Sequence, residues 1–268
     1  MVILRELKGK RILVTGGLGF IGRSLCQRLS QECPTEILVV DDLSCPSADE
    51  TAWDNINHTS VCDYDTLKGL FKSYQPNFIF HLAAEQIAAA QNNIRKNFET
   101  NCRGVFNVLH AALNIEDTLE ALIYTSSCSV YGNRLVAKET DPPDPLTFYS
   151  VSKLTGEYYC QNFYQYNQLP VIILRINNTY GPGRTLSDDY TDVITKFINA
   201  AYRGDPMRLI NDGNWIRSFC YITDTVEGII NATTTGRAGQ IYNIGSDRGI
   251  IGTALVELVK VHYPQVDV

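Results

Sequence analysis

The sequence predicts an α/β fold, a doubly wound parallel sheet with a smaller C-terminal region. Two observations carry that prediction. Up to about residue 180, apolar runs of strand length alternate with longer segments of helical period. The strand candidates are apolar almost without interruption, as burial on both faces of a parallel sheet requires. With 268 residues, 44% of them hydrophobic, the chain can bury a full-sized core.

The elements follow in order. A β-branched strand at 11–15 runs into a glycine-rich turn and a helix at 21–30. A second strand is expected at 37–41, a helix at 64–74 and a strand at 78–82. A long helix at 95–113 precedes a strand at 121–126, and a helix at 150–166 precedes a strand at 171–176. After Gly181 the texture changes. Gly181-Pro182-Gly183, Asp205-Pro206 and Asn211-Asp212-Gly213 cut the chain into short pieces, ending in an apolar segment at 253–261. This places a nucleotide-binding unit at 1–180 and a smaller substrate-facing region at 181–268, interleaved with the first.

Composition excludes several classes. A net charge of −6 and the absence of a dense Lys/Arg run argue against nucleic acid or anionic lipid as partners. No apolar stretch approaches the ~18–20 residues that span a bilayer. The first ten residues mix Arg5, Glu6, Lys8 and Lys10 with apolar ones, unlike a signal peptide. The eight cysteines are scattered, with no CxxC pair and no histidine at zinc spacing, so we expect buried reduced thiols in a cytoplasmic protein and no metal.

The turn Gly16-Gly17-Leu18-Gly19-Phe20-Ile21-Gly22 lies between a strand and a helix, the context that makes a glycine motif informative. Gly16 permits the tight turn, Gly19 lets the backbone approach a pyrophosphate, and Gly22 allows close helix–strand packing. The pyrophosphate would rest on the free amides that open the helix, around Phe20 and Ile21. Asp41, nineteen residues after Gly22, stands where a carboxylate meets the adenosine ribose hydroxyls. A carboxylate there repels a 2′-phosphate, which favours NAD over NADP. Asp42 either shares that role or caps the next turn.

Tyr149 and Lys153, four residues apart, share one face of a helix. The cation favours the phenolate, so the pair is suited to removing a proton from a hydroxyl. The strand before them ends in Ser126-Ser127-Cys128-Ser129, a hydroxyl cluster at the carboxyl edge of the sheet, where such folds bind ligands. Ser127 is the candidate to share the proton.

Taken in order, these motifs, with His81-Leu82-Ala83-Ala84, residues 175–182 and residues 217–224, resemble the extended short-chain dehydrogenase/reductases, specifically the NAD-dependent epimerase/dehydratase family acting on nucleotide sugars. The resemblance runs from about Lys10 to Leu258. It implies a Rossmann domain, Asp63 at the adenine, Leu82, Ala83 and Ala84 along the cofactor, and Tyr64 and Asn101 among the cofactor-binding residues. It also implies Lys153 on the nicotinamide ribose, and Asn178 and Arg217 on the sugar diphosphate. A guanidinium suits a diphosphate on physical grounds as well.

In the resembling 4,6-dehydratases an Asp-Glu pair follows the active-site Ser/Thr, and in related decarboxylases a Glu stands at the position of Ser129. Cys128 and Ser129 occupy those positions here, which favours C4 epimerisation through a 4-keto sugar. A dehydratase and a non-catalytic NAD-binding protein are the alternatives. Residues 85–90 lack the Ser and basic residues many members carry there. The C-terminus is several dozen residues shorter than is usual in the family, which suggests a truncated substrate region. The helices at 95–113 and 150–166 correspond to a four-helix contact in resembling proteins, so a homodimer is expected.

Overall fold

The computed structural model describes residues 4–45, 51, 53–115, 117–184 and 192–268. Five strands, β1 (Arg11–Thr15), β2 (Glu36–Val40), β4 (Phe78–His81), β5 (Ala121–Ser127) and β6 (Val171–Ile176), form the centre of one parallel sheet. A two-residue β3 (Ile56–Asn57) joins one edge and β9 (Ile241–Ile244) the other. The order is β3-β2-β1-β4-β5-β6-β9. It reverses direction between β1 and β4, and a cleft opens at the carboxyl ends beside such a switch point.

Both faces of the sheet are covered. Helices α1 (Phe20–Ser30) and α8 (Ile222–Thr235) pack Leu25, Leu29, Val226 and Ile229 against Ile12, Val14 and Ile172 on one face. Helices α2 (Tyr64–Tyr74), α5 (Val105–Ala112) and α6 (Phe148–Asn167) pack Leu67, Phe71, Val108 and Cys160 against Leu13, Ile79 and Leu122 on the other.

The helix expected at 95–113 is not one uniform helix. It is α4 (Ile94–Phe98), a π-helical stretch Glu99–Gly104, then α5 and a 3₁₀ turn. Two contacts account for the interruption. The Asn101 side chain bonds the backbone of Glu85 in both directions, at 2.8 and 3.0 Å, and a Cβ at Gly104 would stand 2.6 Å from Val61. A short α3 (Ile87–Asn92) precedes α4.

Beyond residue 177 the chain builds a second, three-stranded sheet in the order β10 (Gly249–Ile251), β8 (Ile216–Tyr221), β7 (Asn178–Tyr180). Its own core joins α7 (Val193–Arg203) to α9 (Gly252–Lys260) through Phe197, Met207, Leu255 and Val259. The same stretch returns α8 and β9 to the main layers. Among the described residues no helix is long and apolar enough to cross a membrane. The expectation of uniformly buried thiols fails at Cys33, which is exposed in a left-handed turn after α1.

Candidate active site

A cleft of about 760 Å³ runs along the carboxyl ends of the main sheet to the small sheet. It brings together Gly16, Gly19, Phe20, Ile21, Gly22, Asp41, Asp42, Leu82, Ala83, Ala84, Ser127, Tyr149, Lys153, Asn178 and Arg217. Asp63, Tyr64 and Asn101 do not line it. The Asp63 carboxylate caps α2, accepting from the Thr66 amide and hydroxyl, and Tyr64 stacks on His110 at 4.9 Å. Asn101 is buried behind the wall on Glu85, Asn97 and Ser152.

The glycine turn fits a dinucleotide. Gly16 sits at φ +69°, and a Cβ on it would lie 2.6 Å from the Ala83 amide nitrogen, so β4's exit packs directly on the turn. A Cβ on Gly22 would lie 2.2 Å from the Gly16 carbonyl. No side chain caps α1, so its first-turn amides face the cleft without an intrahelical acceptor, a site complementary to a pyrophosphate.

Asp41 follows directly on β2. Its two oxygens accept from the amides of Leu18 and Leu43, each at 3.0 Å, which fixes the carboxylate while leaving lone pairs toward the cleft. Burial raises its pKa, with the two amide bonds opposing. Asp42 accepts from the Ser44 amide at 3.0 Å, so it caps the turn while also lining the cleft. Burial pushes its carboxyl up, but bonds from Ser44 and Ser60 and the charge of Lys96 hold it below the ordinary value.

The candidate catalytic residues lie on β5 and α6. A capping box between Thr147 and Ser150 starts α6 and sets Tyr149 in its first turn. The Ser127 hydroxyl stands beside the Tyr149 phenol. The Lys153 Nζ donates to the Thr125 carbonyl at 2.8 Å and lies 5.9 Å from the Tyr149 ring centroid. The sequence leads one to expect a lowered phenol pKa, and the structure corrects that. Burial pushes Tyr149 up to about 12, the Ser127 hydroxyl opposing it. Burial also pulls Lys153 down to about 8. Desolvation disfavours both charged forms and is the largest cause of each shift.

On the substrate side, Asn178 Nδ2 donates to the Ser218 carbonyl at 2.9 Å. Arg217 is exposed, its guanidinium 5.8 Å from the Trp215 ring. Burial holds the Cys128 thiol up at about 11 despite the pull of Arg217. The Ser129 Oγ is buried and has no hydrogen-bond partner among the described residues.

Sequence reasoning missed Arg184. Its guanidinium lies 4.7 Å from the Phe20 ring, 3.3 Å from Asp192 and 3.3 Å from the Gln86 side-chain oxygen. Arg23 reaches the carbonyl of neighbouring Gly183 at 2.7 Å, tying this segment to α1. The only sequence signal was a cation immediately after Gly181-Pro182-Gly183.

The fold and the cleft together define a class: an NAD-using enzyme of the extended short-chain dehydrogenase/reductase type. Comparison with known proteins agrees, because the model of the NAD dependent epimerase/dehydratase family matches residues 12–245. The chain belongs to that family, and NAD is its cofactor. It is 32% identical over 260 residues to UDP-glucuronic acid decarboxylase 6 of Arabidopsis thaliana, covering 93% of this chain and 73% of that one. It is 31% identical over 268 residues to human dTDP-D-glucose 4,6-dehydratase, covering 94% and 73%. The UDP-glucose 4-epimerase of Thermotoga maritima, solved with UDP-glucose, superimposes with a TM-score of 0.88 at 27% identity, covering 96% of this chain and 84% of that one.

Proposed function

We propose that the protein epimerises a nucleotide-activated hexose at C4. The observation that carries this reading is the pair Cys128-Ser129 directly after Ser127, where elimination of water would call for an acid and a base. A thiol held up at about 11 is protonated at neutral pH, and a serine hydroxyl is no carboxylate. Of the carboxylates along the cleft, Asp41 and Asp42 are held on backbone amides near the glycine turn, Glu85 is paired with Lys96, and Asp247 stands in the turn between β9 and β10 rather than after Ser127.

NAD supplies the acceptor and donor of hydride at the reacting carbon. Tyr149, as phenolate, takes the proton from O4, assisted by the Ser127 hydroxyl and the charge of Lys153. The 4-keto sugar turns over in the pocket, and Tyr149 returns the proton to O4 of the epimer. The glycine turn, Asp41 and Lys153 hold the cofactor. Asn178 and Arg217, on β7 and β8 of the small sheet, hold the diphosphate of the substrate.

A second reading, a 4,6-dehydratase, is favoured by the sequence likeness to the human enzyme. One experiment separates them. Purified protein with NAD is incubated with UDP-, GDP-, CDP- and dTDP-hexoses and the products are followed by NMR. A C4 epimer is the expected product, and a 4-keto-6-deoxy sugar would overturn epimerisation. NAD binding without conversion of any sugar would make the protein a non-catalytic member of the fold.

A further inference from the structure

Three consecutive residues of β5 each meet α6. Thr125 accepts from Lys153 through its carbonyl, the Ser126 hydroxyl donates to the Glu157 carboxylate, and the Ser127 hydroxyl stands beside the Tyr149 phenol. Tyr149, Lys153 and Glu157 are spaced four residues apart along one face of the helix. The first two belong to the proposed chemistry, whereas Glu157 does not line the cleft.

Glu157 is 1% exposed and Arg175 3%. They meet as a two-pronged pair, Nε to Oε1 at 2.9 Å and Nη2 to Oε2 at 2.7 Å. Burying two charges is costly, and well-packed apolar residues of similar volume often serve stability as well. What apolar residues lack is direction, since a planar fork fixes both distance and angle. Arg175 is itself fixed. Its guanidinium stacks 4.6 Å from the Tyr131 ring and donates to the Glu139 carbonyl, and the Tyr131 hydroxyl donates to Asn243 at 2.7 Å. The frame thus spans β5, α6, β6 and β9.

We propose that Glu157 and Arg175 are positioning residues: their pair locks α6 in register on the end of β5 and so sets where Lys153 and Tyr149 stand opposite Ser127. This rests on the reading that Tyr149 and Lys153 carry the chemistry. The groups facing Lys153 are Tyr149, Glu157 and Cys160 on α6, His81 on β4, Tyr124 on β5 and Cys102 in the π-helical stretch. Glu157 is the one anion among them near neutral pH, and Arg175 balances it.

The test measures acetylation of Lys153 by acetic anhydride, read by mass spectrometry as a function of pH on NAD-loaded protein. Removing the anion in Glu157→Gln leaves a cation unbalanced, so the Lys153 midpoint should fall by about one pH unit. Arg175→Met leaves the anion unbalanced, so the midpoint should rise by about as much. Arg175→Lys keeps the charge and loses the fork. Its midpoint should stay near that of the parent while labelling of the neutral amine speeds up about tenfold, as Lys153 leaves the Thr125 carbonyl. Thermal melts identify folded variants, and Arg175→Lys carries the test if the charge-removing ones do not fold. Parent-like labelling in Arg175→Lys, or shifts of the same sign in the other two, would overturn the proposal. Because labelling needs no sugar, absent turnover would count against epimerisation and leave this result standing.

Discussion

Burial pulls Tyr149 and Lys153 in opposite directions, and the pH dependence of the reaction should record both. With the phenol at about 12, its ionised fraction grows about tenfold per pH unit through neutrality. The Lys153 cation, which favours that ionisation, is lost as pH rises through about 8. Log kcat/KM should therefore climb with a slope near one from about pH 6 to 8 and bend below that slope above 8. Lys153→Met should remove the bend, and Tyr149→Phe should lower kcat by about 10²–10⁴-fold while NAD stays bound. Initial rates across the range check this, and a flat profile would contradict it. His81 gives the complementary signal in stability. Burial and the charge of Lys153 hold its pKa at about 3, with Nδ1 bonded to the Thr15 hydroxyl at 2.7 Å. Below about pH 6.5 the unfolded chain binds a proton that the folded one refuses, so stability falls as pH drops toward 3. Between pH 6.5 and 5 the loss is about 2 kcal/mol, and urea melts of the parent and His81→Gln, which lacks the titration, should differ in that dependence.

Helix α6 carries most of the site, and its fit against β5 is close. Gly156 faces Tyr124, whose buried hydroxyl donates to the Lys153 carbonyl at 3.1 Å. A Cβ at 156 would lie 2.2 Å from that hydroxyl, so Gly156→Ala must push the helix outward. We expect a loss of about 1–3 kcal/mol in thermal melts and a fall in kcat, since the displacement also strains the Lys153–Thr125 bond. An unchanged kcat would mean that this contact does not set the catalytic geometry. The helix was legible in the sequence, from its periodicity and from Tyr149 and Lys153 on one face, and so were β1, β2, β4, β5 and β6. The π-helical stretch was not, because Asn101 bonds Glu85 sixteen residues back and local pattern carries no trace of it. Strands β7 and β10 have three residues each and β8 is half exposed, so their alternation is weak, and their partners lie far along the chain. The Glu157–Arg175 pair did leave a signal that was not used: Arg175 interrupts an otherwise apolar run in a strand buried along its whole length. A charge there requires a partner.

Among the described residues, α6 and α4 carry an apolar surface without a partner within the chain. On α6, Val151 and Tyr158 are 49% and 52% exposed and fall on one stripe with Thr155, while Ile94 and Phe98 of neighbouring α4 are 47% and 57% exposed. These residues lie on the helices that cover the face of the sheet opposite α1 and α8, away from β7 and β8. Scattered exposed apolar side chains are ordinary, but a stripe shared by two packed helices is the kind of surface that associates. We propose that two copies meet there as a homodimer, an isologous contact in which α4 and α6 pack against their counterparts. Light scattering at about 10 µM should then give twice the chain mass, and a monomer would contradict the proposal. A carboxylate buried in such a contact finds no partner and loses its water. Phe98→Asp or Tyr158→Asp should weaken association at least about tenfold, which is about 1.4 kcal/mol. Neither residue lines the cleft, so NAD affinity should be unchanged in both variants. Loss of NAD binding together with the dimer would instead mean that association supports the fold of the cleft through α6, the helix common to both.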